Sequence, residues 1–149
     1  YNVSTDADTV NLAVAKTYYP ILSIRLNPNR LDSIIVPSDI SFLVDSQTWV
    51  HYRLVLNGTF TGGTPTWTTH YNGNVDYIIH TGALGMTGYT DILGGYVNIN
   101  GTANVSQASS FNFQLGRTQT GVSDIFTVIA ASNSNNVKVS ADLSWFEIV

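Results

Sequence analysis

The chain has 149 residues, a formal charge of −4 and no cysteine. One domain of that length buries enough surface to fold without staples, and the missing cysteine excludes disulfide frameworks, cysteine-held zinc, iron–sulfur clusters and thiol catalysis. The six basic residues are scattered, so no nucleic-acid partner is expected, and no apolar run nears the ~18 residues of a membrane span, so no membrane partner is expected either.

The chain opens at Tyr1 rather than Met, as a processed product or a piece of something longer would. Residues 1–19 read as a polar N-terminal arm with one short strand near 10–16. Residues 20–149 read as a single domain. Within it Ile21–Leu26 is a strand, and Asn27-Pro28-Asn29 a turn. Leu31–Val36 is a second strand, stopped by Pro37, and Asp39–Val44 a third, with Ile40, Phe42 and Val44 on one face. Trp49–Leu56 alternates most clearly, setting Val50, Tyr52, Leu54 and Leu56 against Trp49, His51, Arg53 and Val55. Thr66–Tyr71 and Val75–His80 pair through the hairpin signal Asn72-Gly73. Residues 81–88 are a glycine-rich loop. Tyr89–Ile99 is a strand with a bulge or bend at Gly94-Gly95. Residues 100–107 are polar loop, and Ser110–Leu115 is a strand. Asp124–Ala131 is continuously apolar, as a central strand buried on both faces would be, and Val137–Ile148 is the last long strand.

Composition agrees with sheet. Glu147 is the only glutamate, Lys16 and Lys138 the only lysines, so the usual solvent face of a helix is missing. Thr, Ser and Asn together make up about 30% of the chain and supply a neutral coat instead. Nine or ten strands with no strand–helix alternation predict an all-β fold. The expected form is an antiparallel two-sheet sandwich of jelly-roll or Greek-key type.

No reactive constellation stands out, so no enzyme, cofactor or metal is expected. His51, His70 and His80 lack ligand spacing. Asp6 and Asp8 begin a calcium-loop pattern that nothing completes. Asp76, Asp91 and Asp124 lie on or beside strands, but no pattern selects a catalytic pair. Aromatic residues are the richest feature. Trp145, on an alternating strand, reads as core. Trp67, His70 and Tyr71 near the hairpin turn, with Asn72, and Tyr18 and Tyr19 at the end of the arm, are candidate interface or glycan contacts. Packing between subunits is the first reading and sugar stacking the second. The Asn-x-Ser/Thr sequons at Asn2, Asn57, Asn100 and Asn104 are near chance in a chain so rich in these residues.

Several segments carry a resemblance. PILSIRLNPNRLDSIIVPSDISFL (20–43) resembles the opening of a β-sandwich module recurring in virion structural proteins of tailed bacteriophages, where an extended strand runs into a proline-bounded turn. WVHYRLVLNGTFTGG (49–63), GGYVNI (94–99) and FNFQLGRTQTGVSDIFTVIA (111–130) are similar to its later parts, and VKVSADLSWFEIV (137–149) to its last strand. The resemblance covers residue 20 to the end and carries no catalytic residue. It implies a non-enzymatic structural protein of the virion, in tail, fibre, baseplate or capsid decoration. Its partners would be other virion proteins and copies of itself, a trimer in a fibre setting. The alternative is a carbohydrate- or receptor-binding module that meets a host surface glycan. Scarce charge leaves strand edges unguarded, so the arm or a neighbouring subunit is expected to cover them.

Overall fold

A computed structural model describes residues 1–5, 10–45, 48–97, 102–106 and 114–148. Its strands are Asn2–Ser4 (β1), Val10–Leu12 (β2), Tyr19–Leu26 (β3), Ile34–Asp45 (β4), Val50–Leu56 (β5), Thr59–Thr61 (β6), Thr68–Thr69 (β7), Val75–Ile79 (β8), Gly85–Thr87 (β9), Thr90–Val97 (β10), Thr102–Ser106 (β11), Ile125–Ser132 (β12) and Val137–Ile148 (β13). There is no helix among the described residues, and all pairings are antiparallel.

Two sheets pack face to face, one in the order β1-β13-β4-β11 with β2 also on β13, the other β10-β5-β12-β3-β8-β7; β6 and β9 form a small third sheet. With β1 and β2 taken as one interrupted strand, the long strands pair concentrically. First meets last (β1/β2 with β13), then β3 meets β12, β4 meets β11 and β5 meets β10. That is a hairpin rolled into two layers, the jelly roll.

The arm is therefore the first strand of the roll, in two pieces rather than the single one expected near 10–16. β1 pairs Asn2 to Ser4 with Ser144 to Asp142, and β2 pairs Val10 to Leu12 with Val139 to Val137. Between them Thr5 N donates to the Ala141 carbonyl at 3.0 Å, and Ala141 N donates to Thr5 Oγ1 at 3.2 Å. Much of the β13 edge is thus sealed by the chain's own arm, which removes a template for stray pairing.

The residues expected to form two strands at 31–36 and 39–44 form one, β4. Opposite it Ser144 pairs with Asp39 and Trp145 with Pro37, so Ser38 is an extra residue in a bulge. The bulge absorbs the missing N–H of Pro37 and shifts the phase. Ile35 and Pro37 are buried before it, Ile40, Phe42 and Val44 after it. β13 keeps one phase throughout, with Val137, Val139, Ala141, Leu143 and Trp145 inward. Phe42 stacks on Tyr52 across the sheets, ring centroids 4.9 Å apart.

Further differences are local. The bulge in β10 falls between Asp91 and Leu93, not at the glycine pair. Gly95 instead makes room for Tyr52, whose hydroxyl would lie 2.8 Å from a Cβ there. Part of the expected polar loop at 100–107 is β11, paired to β4. The expected strand at 66–71 contracts to β7, and the strands exceed the nine or ten expected because of such short pieces. The expected strand at 110–115 lies mostly outside the described residues, as do Asp6 and Asp8.

β12 is buried on both faces, as its apolar run predicts. One side faces the core. The other is covered by the segment between β5 and β10, where Met86, Phe60 and Tyr89 pack on Val55 and Ile129. Beneath the same cover Ser23 hydrogen-bonds both His80 Nε2 (2.9 Å) and Thr127 Oγ1 (2.8 Å), and Phe60 lies 5.3 Å from His80. This cover touches the arm at Gly82, where φ is +89° and a Cβ would stand 2.4 Å from the Asn11 carbonyl oxygen. Gly82→Ala is expected to cost about 2 kcal/mol from the left-handed backbone and the clash together. Urea unfolding measures the loss, and faster hydrogen exchange in β2 would trace it to the arm.

Candidate functional site

The segment between β5 and β10 is an insertion into the roll, and its hairpin carries three of the expected site residues. Thr69 pairs with Asp76, His70 N donates to the Val75 carbonyl (2.8 Å), and Gly73 N to the His70 carbonyl (2.8 Å). Asn72 Oδ1 accepts from Asn74 N at 3.1 Å, the local bond that makes Asn a turn residue. The turn leaves Tyr71 84% exposed and drives His70 inward to 6%. His70 meets Trp145 edge-on at 5.1 Å, Tyr71 at 4.2 Å and Tyr1 at 5.9 Å. Its Nδ1 is buried and has no hydrogen-bond partner. Where the hairpin meets β1 there is a cavity of about 460 Å³, lined by Asn2, Val3, Ser4, Thr69, His70, Tyr71, Tyr77 and Ile79. It lies at the seam of the two sheets, because β1 edges one and β7–β8 the other.

Glu147 ties that hairpin to β13. Its Oε1 accepts from Trp145 Nε1 (2.8 Å) and from Asn72 Nδ2, its Oε2 from Asn74 Nδ2 (2.9 Å). Burial pushes its carboxyl up, but the hydrogen bonds from Asn74, Trp145 and Asn72, with His70 nearby, outweigh it and hold the group below the usual carboxylate range. Asn72 is therefore engaged in holding the turn. Glu147 was legible only as the chain's lone glutamate, which gave no sign of its partners.

Trp67 is placed elsewhere. It lies under the Arg25 guanidinium, 4.3 Å from the ring centroid. Arg25 in turn reaches Asp76 Oδ2 through Nε (3.2 Å) and Nη2 (3.1 Å), while Asn27 and Thr69 donate to Oδ1. The ring contacts described for Tyr71 are with Tyr1 and His70, and that described for Trp67 is with Arg25.

Tyr19 begins β3 and packs against the core, its hydroxyl accepting from Val14 N (3.2 Å). Tyr18 joins a second cluster, on the outer face of β5 and β10. Its hydroxyl shares a 2.7 Å hydrogen bond with His51 Nδ1, and Arg53 lies 4.9 Å over its ring. Tyr96 pairs with His51 across the strands, with rings 4.6 Å apart, and Trp49 meets Tyr96 edge-on at 5.4 Å. Arg53 is bound to Asp91 at 2.8 Å. Burial, then the charge of Arg53, lowers the His51 pKa, with Asp91 opposing, which favours the neutral imidazole. Tyr96 is 66% exposed and Trp49 37%. Sequence reading passed over Trp49, His51 and Tyr96 as site residues. The available signal was the alternation of β5, which points His51 and Arg53 outward, opposite Tyr52 and Leu54.

The three aspartates weighed as catalytic are each engaged separately: Asp76 by Arg25, Asp91 by Arg53, and Asp124 by Asn57 Nδ2 (3.1 Å) and Gly116 N (3.0 Å). Among the described residues no group of His, Asp or Glu is arranged to hold a metal ion. Comparison with protein-family models, with curated proteins and with solved structures finds no match for this chain.

Proposed function

We propose that this chain is a non-enzymatic structural protein of a tailed-phage virion, working through contacts with other virion proteins and with copies of itself. The observation that carries the reading is the Trp49–His51–Tyr96 cluster, a solvent-facing ring surface on an otherwise neutral sandwich. It stands beside β10, an outer strand of its sheet. Trp and Tyr anchor interfaces because they bury large area at low entropic cost, and the adjoining Arg53 is already paired with Asp91. The resemblance of residues 20–149 to phage virion modules supports the setting, and jelly rolls recur in viral shells. Lectins share that topology, so the topology alone selects no function.

The arm already covers the β13 edge, and of the remaining outer strands β10 is the one that carries this ring cluster, so it is the side assigned to a neighbouring copy. The wild-type chain is expected to self-associate in sedimentation velocity at micromolar concentration. Trp49→Ser with Tyr96→Ser is expected to weaken association at least about 30-fold, since anchors of this kind contribute ~2 kcal/mol or more. Both residues are exposed, so the melting temperature of the monomer should hold. A wild type that stays monomeric at every concentration, or an oligomer indifferent to the double substitution, would overturn the reading.

A further inference from the structure

We propose that the hollow beside Trp49 and Tyr96 receives the Phe146 side chain of a second copy, so that copies join head to tail through two different faces. The inference rests on the self-association read above and names the surface that meets the ring cluster.

The receiving face comes first. On the outer side of β5 and β10 a hollow of about 230 Å³ has Lys16, Tyr18, Trp49, His51, Arg53 and Tyr96 in its lining. That is below the ~300 Å³ at which small-molecule sites begin, yet above the ~150 Å³ that holds a benzene ring. Its size suits one aromatic side chain.

The inserting face lies on the other sheet. Along β13 the outward residues are Asp142, Ser144, Phe146 and Ile148. Phe146 and Ile148 are each 62% exposed. Across the ladder from them stand Val36 and Ile34, both half-buried. These four form an apolar stripe, while the β6–β9 cover packs on the opposite sheet. Asp142, and Asp39 across from Ser144, put negative charge beside the stripe.

Charge selects a second copy as the occupant. Lys16 lines the hollow and has no ion-pair partner among the described residues, whereas Arg53 is held by Asp91. Asp142 accepts from Asn2 and Ser144, both neutral. A lysine beside a ring-lined hollow matches a carboxylate beside a projecting ring, and one chain carries both. Ring face against ring face would instead bring two Lys16 side chains to one contact, where the nearby Asp91 is already engaged. A patch that fits a hollow elsewhere on the same molecule makes a heterologous contact, which closes into a ring or runs on as a filament.

The test is sedimentation velocity of the full chain, alone and in mixtures. Phe146→Ser is expected to weaken self-association at least about tenfold, the loss of one aromatic anchor. Lys16→Glu is expected to weaken it several-fold, because the new carboxylate would face Asp142 and Asp39. Both positions are exposed, so unchanged melting temperatures check the fold. The deciding arm mixes two proteins. The Trp49→Ser, Tyr96→Ser chain loses the rings of the hollow and keeps Phe146, while the Phe146→Ser chain keeps the rings. Each alone associates weakly. An equimolar mixture is expected to give one-to-one dimers and nothing larger, at concentrations where the wild type associates. Association indifferent to Phe146→Ser or to Lys16→Glu, or a mixture without the mixed dimer, would overturn the head-to-tail pairing. Loss of association in the Trp49→Ser, Tyr96→Ser chain would then leave the ring cluster as an interface of another geometry. A wild type that stays monomeric would overturn both.

Discussion

Trp145→Ala is expected to remove about 3–5 kcal/mol of stability, the usual range for erasing a large buried aromatic. A domain of this size has about 5–15 kcal/mol in total, so the variant stands close to unfolding. Three effects add at this position. The indole is 1% exposed, so its removal empties a volume that the two sheets enclose. Its Nε1 donates to Glu147 Oε1 at 2.8 Å, and without it that carboxylate keeps only the asparagine amides. Its edge-on contact with His70 at 5.1 Å supports the hairpin. Position 145 also faces Pro37 next to the β4 bulge. Thermal unfolding should show a midpoint lowered by roughly 10 °C. Trp145→Phe, which keeps most of the apolar volume and loses the donor, should cost about 1–2 kcal/mol. A loss below about 1 kcal/mol in the alanine variant would mean that the core does not rest on this residue.

That Trp145 is core was legible in the sequence, because β13 alternates without interruption. The same rule read β5 and the buried run of β12. It failed where the period breaks. β4 changes phase at Ser38, so a single strand reads as two, and Pro37 makes the break look like a terminus. β2 falls within the short strand expected near 10–16, but β1 and the small β9 are too short to show any period; they exist because a partner strand offers them hydrogen bonds, which is tertiary information. β11 is hidden for the related reason that a strand rich in Thr, Asn and Ser has the composition of a loop. The candidate site was half legible. His70, Tyr71 and Asn72 share one hairpin and could be grouped by proximity in sequence. Tyr1, Trp145 and Glu147 join them only because the last strand of the roll lies beside its first. Local pattern likewise cannot bring Trp49 and Tyr96 together, since the pairing of β5 with β10 spans the whole insertion.

Acid should destabilise the fold in a window set by His80. This imidazole is 5% exposed beneath the β6–β9 cover, and burial lowers its pKa from 6.5 to about 4. The native state therefore holds it neutral while the unfolded chain protonates it near pH 6.5. Above that pH neither state binds the proton and His80 contributes no slope. Between about 6.5 and about 4 the unfolded chain binds more protons, so stability falls as pH falls, by about 1.4 kcal/mol per unit. Below about 4 both states are protonated and this loss levels off near 3 kcal/mol in all. Glu147 acts lower down. Its folded pKa lies below its ordinary 4.5, so its contribution is present above that value and is lost as pH drops through the folded one. The two windows meet near pH 4, which makes His80 separable at pH 5, where about 2 kcal/mol of its effect should have appeared. Urea midpoints of the wild type from pH 7.5 to 4.5 should decline accordingly. His80→Gln, which can keep a hydrogen bond to Ser23 and cannot take the charge, should show a flatter profile whatever its stability at pH 7. Any slope left in that variant belongs to other groups, His51 among them, whose pKa is also lowered. Parallel profiles for the two proteins, or an NMR titration of the His80 ring centred near 6.5, would show that the β6–β9 layer does not exclude water from the outer face of β3 and β12.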